Sequence, residues 1–184
     1  RSVLAVLEAL ARTRTIEIAC SESRPALEGR RLAACLAAAG SAVTCFGDAA
    51  LGHALASADA VLVGADAVAP EWFLNKSGTR MLAAAAALQG LPVYVVASRD
   101  KFVSHALAAR MVAGEGAAAE IWDSPPAGVT VRNPYFEPTP LDLVASVISD
   151  LGVLGAGMVP DVCEQSGDTL TLRALEAVAG ETSM

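Results

Sequence analysis

Long apolar runs are missing from this 184-residue chain, although 54% of it is hydrophobic. The excess is mostly alanine, and apolar runs such as 81–88 and 93–97 fall well short of the roughly 18–20 residues that a bilayer crossing needs. A membrane-spanning protein is therefore not expected, and the mean hydropathy of +0.48 reflects alanine-rich segments that pack inside a fold. No secretory leader is visible: the chain opens Arg1-Ser2 and passes straight into a helical pattern. An opening arginine is not an initiator, so residues are expected to precede it in the natural protein, and a cytoplasmic location is expected.

Clustered positive charge is missing too. Thirteen Lys and Arg against 20 Asp and Glu leave a net charge of −7, and the only adjacent basic pair, Arg30-Arg31, reads as a solvated helix start. Gripping a phosphate backbone needs basic residues gathered on one surface, so direct contact with nucleic acid is not expected. The four cysteines, Cys20, Cys35, Cys45 and Cys163, show no CxxC spacing. Lying within apolar segments, they read as buried free thiols of a reducing compartment rather than metal ligands or disulfides. His53 and His105 have no partners at metal-ligand spacing, so no metal and no cofactor is expected. The GxxxxGK[ST] loop is absent, and no GxGxxG fingerprint follows the first strand. Nor is there an internal repeat or a low-complexity linker, which makes 1–184 a single domain.

What is present is an alternation of strand and helix signals. Residues 2–12 carry apolar side chains at helical spacing, with Ser2 as a cap, and residues 15–20 alternate as a strand. A helix over 27–39 ends at Gly40, a strand spans 42–46, and a short helix covers 48–56. Residues 60–64 are continuously apolar, as in a strand covered on both faces. A loop over 65–74 leads to Asn75-Lys76-Ser77-Gly78-Thr79, which opens an alanine-rich helix to Leu88; Gly90 stops it and the strand 93–97 follows. The signal weakens over 102–128; a strand is expected at 129–132, an amphipathic helix at 140–151 closed by Gly152, and a last helix at 169–178. At least four alternations imply right-handed βαβ crossovers and a Rossmann-like parallel sheet with helices on both faces.

In such sheets ligands sit beyond the carboxyl ends of the strands. Four polar patches fall there: Glu22-Ser23-Arg24-Pro25, Gly64-Ala65-Asp66, Asn75 to Thr79, and Ser98-Arg99-Asp100-Lys101. Asn75 to Thr79 is a candidate anion site, because a helix start offers free N–H groups, Gly78 permits close approach and Lys76 adds countercharge; the plainer alternative is a cap by Asn75 or Ser77. Asp66 beside apolar walls is a candidate general acid or base, since desolvation raises a carboxyl pKa; it reads equally as a turn-forming Asp. Lys101 completes a charge pocket or is a solvated lysine. Arg24 clamps a phosphate or pairs with Glu22.

The same patches carry a resemblance. Glu22-Ser23-Arg24-Pro25 with Gly29, Val43-Thr44, Asp48-Ala49-Ala50, Val63-Gly64-Ala65-Asp66, Asn75-Lys76-Ser77-Gly78-Thr79, Pro92-Val93-Tyr94-Val95 with Lys101-Phe102, Asn133-Pro134-Tyr135-Phe136-Glu137-Pro138-Thr139-Pro140 and Ser149-Asp150-Leu151-Gly152 stand in that order. Together they resemble the regulatory (alpha, beta, delta) subunits of translation initiation factor 2B and their relatives, the methylthioribose-1-phosphate and ribose-1,5-bisphosphate isomerases. The resemblance runs from about Arg1 to about Val162. It implies a Rossmann-like, CoA-transferase-like domain, usually preceded by a helical domain, that dimerises through this part. A homodimer or a related partner subunit follows, with the 140–151 helix and the 133–138 turn at the interface.

In the isomerase branch the resemblance implies that Asp66 is catalytic, paired with a cysteine. That cysteine would lie just before Arg1, outside this chain, and none of the four present corresponds to it. Asn75 and Lys76 match substrate-contacting positions and Lys101 a lysine near a phosphate, with Arg24, Gly78 and Thr79 completing the substrate-binding set. The family's Asn-Gly-Gly before the Asn-Lys pair is replaced by Pro70-Glu71-Trp72-Phe73-Leu74, which is expected to reshape the pocket mouth. Two functional readings follow: an aldose-ketose isomerase of a sugar 1-phosphate, and a non-catalytic regulatory subunit that senses a sugar phosphate or nucleotide. Dimerisation without a ligand is a third. Alanine-rich composition with arginine over lysine points to a high-GC bacterium and tilts the balance to the enzyme.

Overall fold

The computed structural model describes residues 2–111 and 114–166. Its centre is a four-stranded sheet in the order β3-β6-β8-β9. Strands β3 (Val61–Gly64), β6 (Val93–Val96) and β8 (Ser146–Ser149) run parallel, and β9 (Gly152–Leu154) closes the edge antiparallel to β8. The β-branched runs that form these strands place Val61, Val63, Val93, Val95 and Val147 in one core, where pleated packing suits them. Helix α3 (Thr79–Leu88) connects β3 to β6 and turns Ala83 and Ala86 into that core. Alanine here is what lets the helix lie close to the sheet, while the opposite face leaves Met81 and Leu88 exposed.

Ahead of the sheet, α1 (Ser2–Ala11), β1 (Glu17–Ser21), α2 (Glu28–Ala38) and β2 (Ala42–Phe46) follow in order, with β1 and β2 a separate parallel pair. Gly29 in α2 sits so near β1 that a Cβ there would lie 1.8 Å from the Ser21 carbonyl oxygen. The segment expected as a short helix at 48–56 is 3-10 in character over Asp48–Ser57. Helices α4 (His105–Ala108) and α5 (Val159–Glu164) complete the described α-helices, and no described helix is long and apolar enough to cross a membrane.

Four expectations change. The segment 65–74 is not a plain loop: β4 (Ala67–Val68) and β5 (Trp72–Lys76) form an antiparallel hairpin, extended by β7 (Phe136–Pro140) into a third sheet. The 140–151 segment is not a helix but the end of β7, a 3-10 turn (Leu141–Leu143), β8 and the start of the β8–β9 hairpin. Buried Leu141, Val144 and Val147 imitate a helical face, but β-branched Val147 and Ile148 follow a turn and favour a strand once β6 offers pairing. No strand forms at 129–132. Among the cysteines only Cys163 is buried; Cys20 is intermediate and Cys45 exposed because the β1–β2 pair lies outside the main core, and Cys35 is exposed on α2. The helix expected at 169–178 lies outside the described residues.

Candidate functional site

Asp66 follows β3 at once, and its N–H donates to the Leu74 carbonyl at 2.8 Å, so the β4–β5 hairpin fixes where its side chain leaves the sheet edge. Lys101 ends a single 3-10 turn (Arg99–Lys101) after β6, anchored where the Arg99 N–H donates to Asp150 Oδ1 at 2.7 Å. The two strand ends are neighbours in the sheet. Their side chains converge: Lys101 Nζ donates to the Ala65 carbonyl oxygen and stands 3.8 Å from Asp66 Oδ1. With Gly64 and Asn75 they border a depression of about 160 Å³, walled on the other side by Ser2 and Val3 of α1.

Burial pushes the Asp66 carboxyl above its usual range, and the Lys101 ammonium opposes this without cancelling it. The side chain is still 49% exposed, so a carboxyl held ready to carry a proton remains open to a ligand. Asn75 contributes through β5: its Nδ2 donates to Thr79 Oγ1 at 2.9 Å, and its Oδ1 is left beside Gly64.

The remaining positions divide. Lys76, next along β5, pairs with Glu28 Oε1 at 3.0 Å and lies 4.4 Å above the Tyr135 ring, and its charge also reaches the Asp66 carboxyl, which it favours in the ionised form. Gly78 has φ +100°, a backbone state that favours glycine. The N–H groups of Gly78 and Arg80 donate to Glu137 Oε1 at 2.7 and 2.9 Å. The start of α3 thus carries a carboxylate of the protein itself, the arrangement that a helix N-terminus favours. The buried Thr79 hydroxyl donates to the Lys76 carbonyl at 2.6 Å. Gly78 and Thr79 therefore build the turn that carries Asn75 and Lys76.

Arg24 stands apart from the depression. The Ser23 and Arg24 N–H groups donate to the two Asp48 carboxylate oxygens at 2.7 and 2.8 Å, which ties the loop after β1 to the start of the 3-10 segment. Glu22 is taken by Arg30, so the alternative Arg24–Glu22 pair does not form, and the exposed Arg24 guanidinium has no partner among the described residues. No group of three or more potential metal ligands gathers among them either.

Glu28, Tyr135 and Glu137 were missed as site neighbours by sequence reasoning. Glu28 comes from the start of α2, and the positions of Tyr135 and Glu137 depend on β5 pairing with β7, which sets Asn75 opposite Glu137 and Lys76 opposite Phe136. The only signal was the Asn133 to Pro140 stretch within the resemblance. Trp72 and Phe73 do not line this depression: Phe73 is fully buried in the core, and Trp72 borders a separate hollow of about 100 Å³ with Pro70 and His105.

Comparison with known proteins gives these features a context. The model of the initiation factor 2 subunit family matches residues 1–156. Methylthioribose-1-phosphate isomerase of Rhodopirellula baltica is 37% identical over 153 residues, covering 76% of this chain and 43% of its own length. Ribose 1,5-bisphosphate isomerase of Archaeoglobus fulgidus is 35% identical over 146 residues, covering 76% and 46%. The chain spans less than half the length of these two relatives. Among solved structures, translation initiation factor eIF-2B subunit delta from A. fulgidus superposes with a TM-score of 0.78 at 30% identity, covering 89% of this chain and 51% of that one. 5-Methylthioribose 1-phosphate isomerase from Pyrococcus horikoshii shares the fold, with a TM-score of 0.69 at 22% identity over 89% of this chain and 57% of that one. This chain belongs to the initiation factor 2 subunit family.

Proposed function

We propose that the depression at Asp66 binds a phosphorylated sugar, and that the protein catalyses aldose-ketose isomerisation of a sugar 1-phosphate with Asp66 as its proton-handling group. One observation carries this reading: the carboxyl of raised pKa lies 3.8 Å from the Lys101 ammonium at the carboxyl ends of neighbouring parallel strands. Relatives named as sugar-phosphate isomerases at 37% and 35% identity narrow the substrate class.

The reaction is internally balanced. The bond from C1 to the ring oxygen breaks, C2 gives up its hydrogen to C1 and becomes the carbonyl carbon, and the C2 hydroxyl proton passes to the freed ring oxygen, so no external oxidant enters. Asp66 exchanges protons with the sugar hydroxyls, which a carboxyl does best when its pKa approaches the working pH. The Lys101 ammonium stabilises negative charge developing on oxygen, and low local polarity strengthens that contact. Asn75 Oδ1 accepts from a hydroxyl. Arg24 offers a planar, unpaired fork suited to phosphate, and Lys76 joins it once phosphate displaces Glu28. Gly78 and Thr79 serve binding by holding the turn beneath Asn75 and Lys76.

We further propose a prokaryotic, cytoplasmic protein acting as a homodimer or beside a related subunit. Exposed Val153 and Met158 at 67% and 55%, next to the open edge of β9, support such an interface. Light scattering at micromolar concentration reads its mass; a monomer would contradict it.

A second reading has its own support. The solved factor subunit is similar over most of this chain, and Glu28 neutralises Lys76, which fits a site that senses rather than transforms. Incubation with methylthioribose 1-phosphate or ribose 1,5-bisphosphate, followed by NMR, separates the two. Ketose formation that Asp66→Asn abolishes supports the isomerase; saturable binding without turnover supports the sensor and overturns the catalytic role.

A further inference from the structure

Cys20 and Cys45 are direct register partners in the parallel β1–β2 pair. Paired positions leave the pleat on the same face, and strands stand about 4.8 Å apart, inside the roughly 4.4–6.8 Å Cα separation that a disulfide accepts. The two thiols lie close enough for Cys45 to act on the ionisation of Cys20. Their surroundings differ. Cys20 is partly covered, with its Sγ 3.9 Å from the Gly29 carbonyl oxygen of the close-packed α2. Cys45 is exposed. The pair lies immediately before two loop anchors: the Glu22 N–H donates to the Phe46 carbonyl at 2.8 Å, and Asp48 holds the Ser23 and Arg24 amides.

We propose that Cys20 and Cys45 form a reversible thiol–disulfide site that cross-links β1 to β2 beneath the Arg24 loop, with a low-molecular-weight disulfide as its oxidant. The Cys45 thiolate attacks one sulfur of glutathione disulfide, its S–S bond breaks, and one glutathione leaves as thiolate. The Cys20 thiolate then attacks the Cys45 sulfur of the mixed disulfide and releases the second glutathione. Two protein thiols are oxidised, two electrons reduce one glutathione disulfide, and the two thiol protons pass to the departing thiolates. Access assigns the order, since Cys45 meets solvent first. Burial, then the neighbouring Cys45, pushes the Cys20 thiol up to about 11. Closure therefore quickens as pH rises toward that value, about tenfold per pH unit, because only the thiolate attacks. Cys35 is exposed but has no cysteine opposite it, and Cys163 is buried with its Sγ 3.4 Å from the Val68 carbonyl oxygen.

The test equilibrates the protein in glutathione buffers of graded oxidation, quenches with acid, and maps cysteines by mass spectrometry of proteolytic fragments. A 20–45 linked fragment is expected in the wild type and in Cys35→Ser. Cys20→Ala stops at a glutathione adduct on Cys45, and neither Cys45→Ser nor Cys45→Ala gives any link. Hydrogen exchange at the Ser23 and Arg24 amides slows several-fold in the linked form. Adducts on Cys45 and Cys35 alike with no 20–45 link would overturn the proposal, as would a Cys35–Cys45 link. The wild-type fragment map answers the question even if a variant fails to fold.

Discussion

In the parallel sheet β3–β6–β8, Val63, Val95 and Val147 are at most 9% exposed, whereas β1 and β2 contribute no buried side chain. Both regions are parallel pairings, and both deliver a candidate ligand-contacting residue from the loop after a strand. They fix it by different means. Asp66 and Lys101 leave strands locked into the core, so packing sets their separation. Arg24 leaves a lightly covered pair, and the Asp48 carboxylate on two amides does what packing does elsewhere. Groups that move protons need fixed geometry, while a cation that grips phosphate tolerates give. The proposed division of labour follows the distribution of burial.

The contrast is sharpened most by Phe73→Ala. Emptying a fully buried core position is expected to cost about 3–5 kcal/mol in denaturant unfolding, and to loosen Asp66 with the hairpin. Gly29→Ala strikes the other region: its Cβ meets the Ser21 carbonyl, and forcing α2 off β1 is expected to cost about 1–3 kcal/mol while Asp66 and Lys101 stay in place. Asp48→Ala is milder, about 1 kcal/mol, but hydrogen exchange at Ser23 and Arg24 accelerates and phosphate affinity falls through Arg24. Smallest is the effect of Asp66→Asn on the pH dependence of stability. A carboxyl raised by burial binds its proton more tightly folded than unfolded. Wild-type stability therefore falls, relative to the variant, as pH rises from the ordinary carboxylate range through the raised value. A slope of the opposite sign would mean that Lys101, and not burial, dominates that carboxyl.

Strands β3 and β6 and helix α3 were legible because their signals are local: a continuous apolar run, a proline start and a glycine stop. Asp66 and Lys101 were legible because strand ends define the ligand edge once the strands are known. The 140–151 region was not, since Leu141, Val144 and Val147 repeat at helical spacing and only the partner strand β6 decides otherwise. Sequence placed Asn75 and Lys76 at a helix start, yet they end a strand whose partner, β7, begins 60 residues after that strand ends. The same long-range pairing brings Glu137 onto the α3 start, where a bound anion was expected. Exposure of Cys45 is hidden for a related reason: an apolar strand suggests a covered one, and only the outer layer, missing among the described residues, decides otherwise.

The most direct test is thermal denaturation with methylthioribose 1-phosphate, ribose 1,5-bisphosphate and inorganic phosphate, on the wild type and on Lys101→Met. A ligand at 100 times its dissociation constant adds about 2.7 kcal/mol. Stabilisation by a sugar phosphate well beyond inorganic phosphate, largely lost in Lys101→Met, is the expected result. Equal stabilisation of both proteins, or none by any ligand, would contradict a sugar-phosphate site at Asp66 and Lys101.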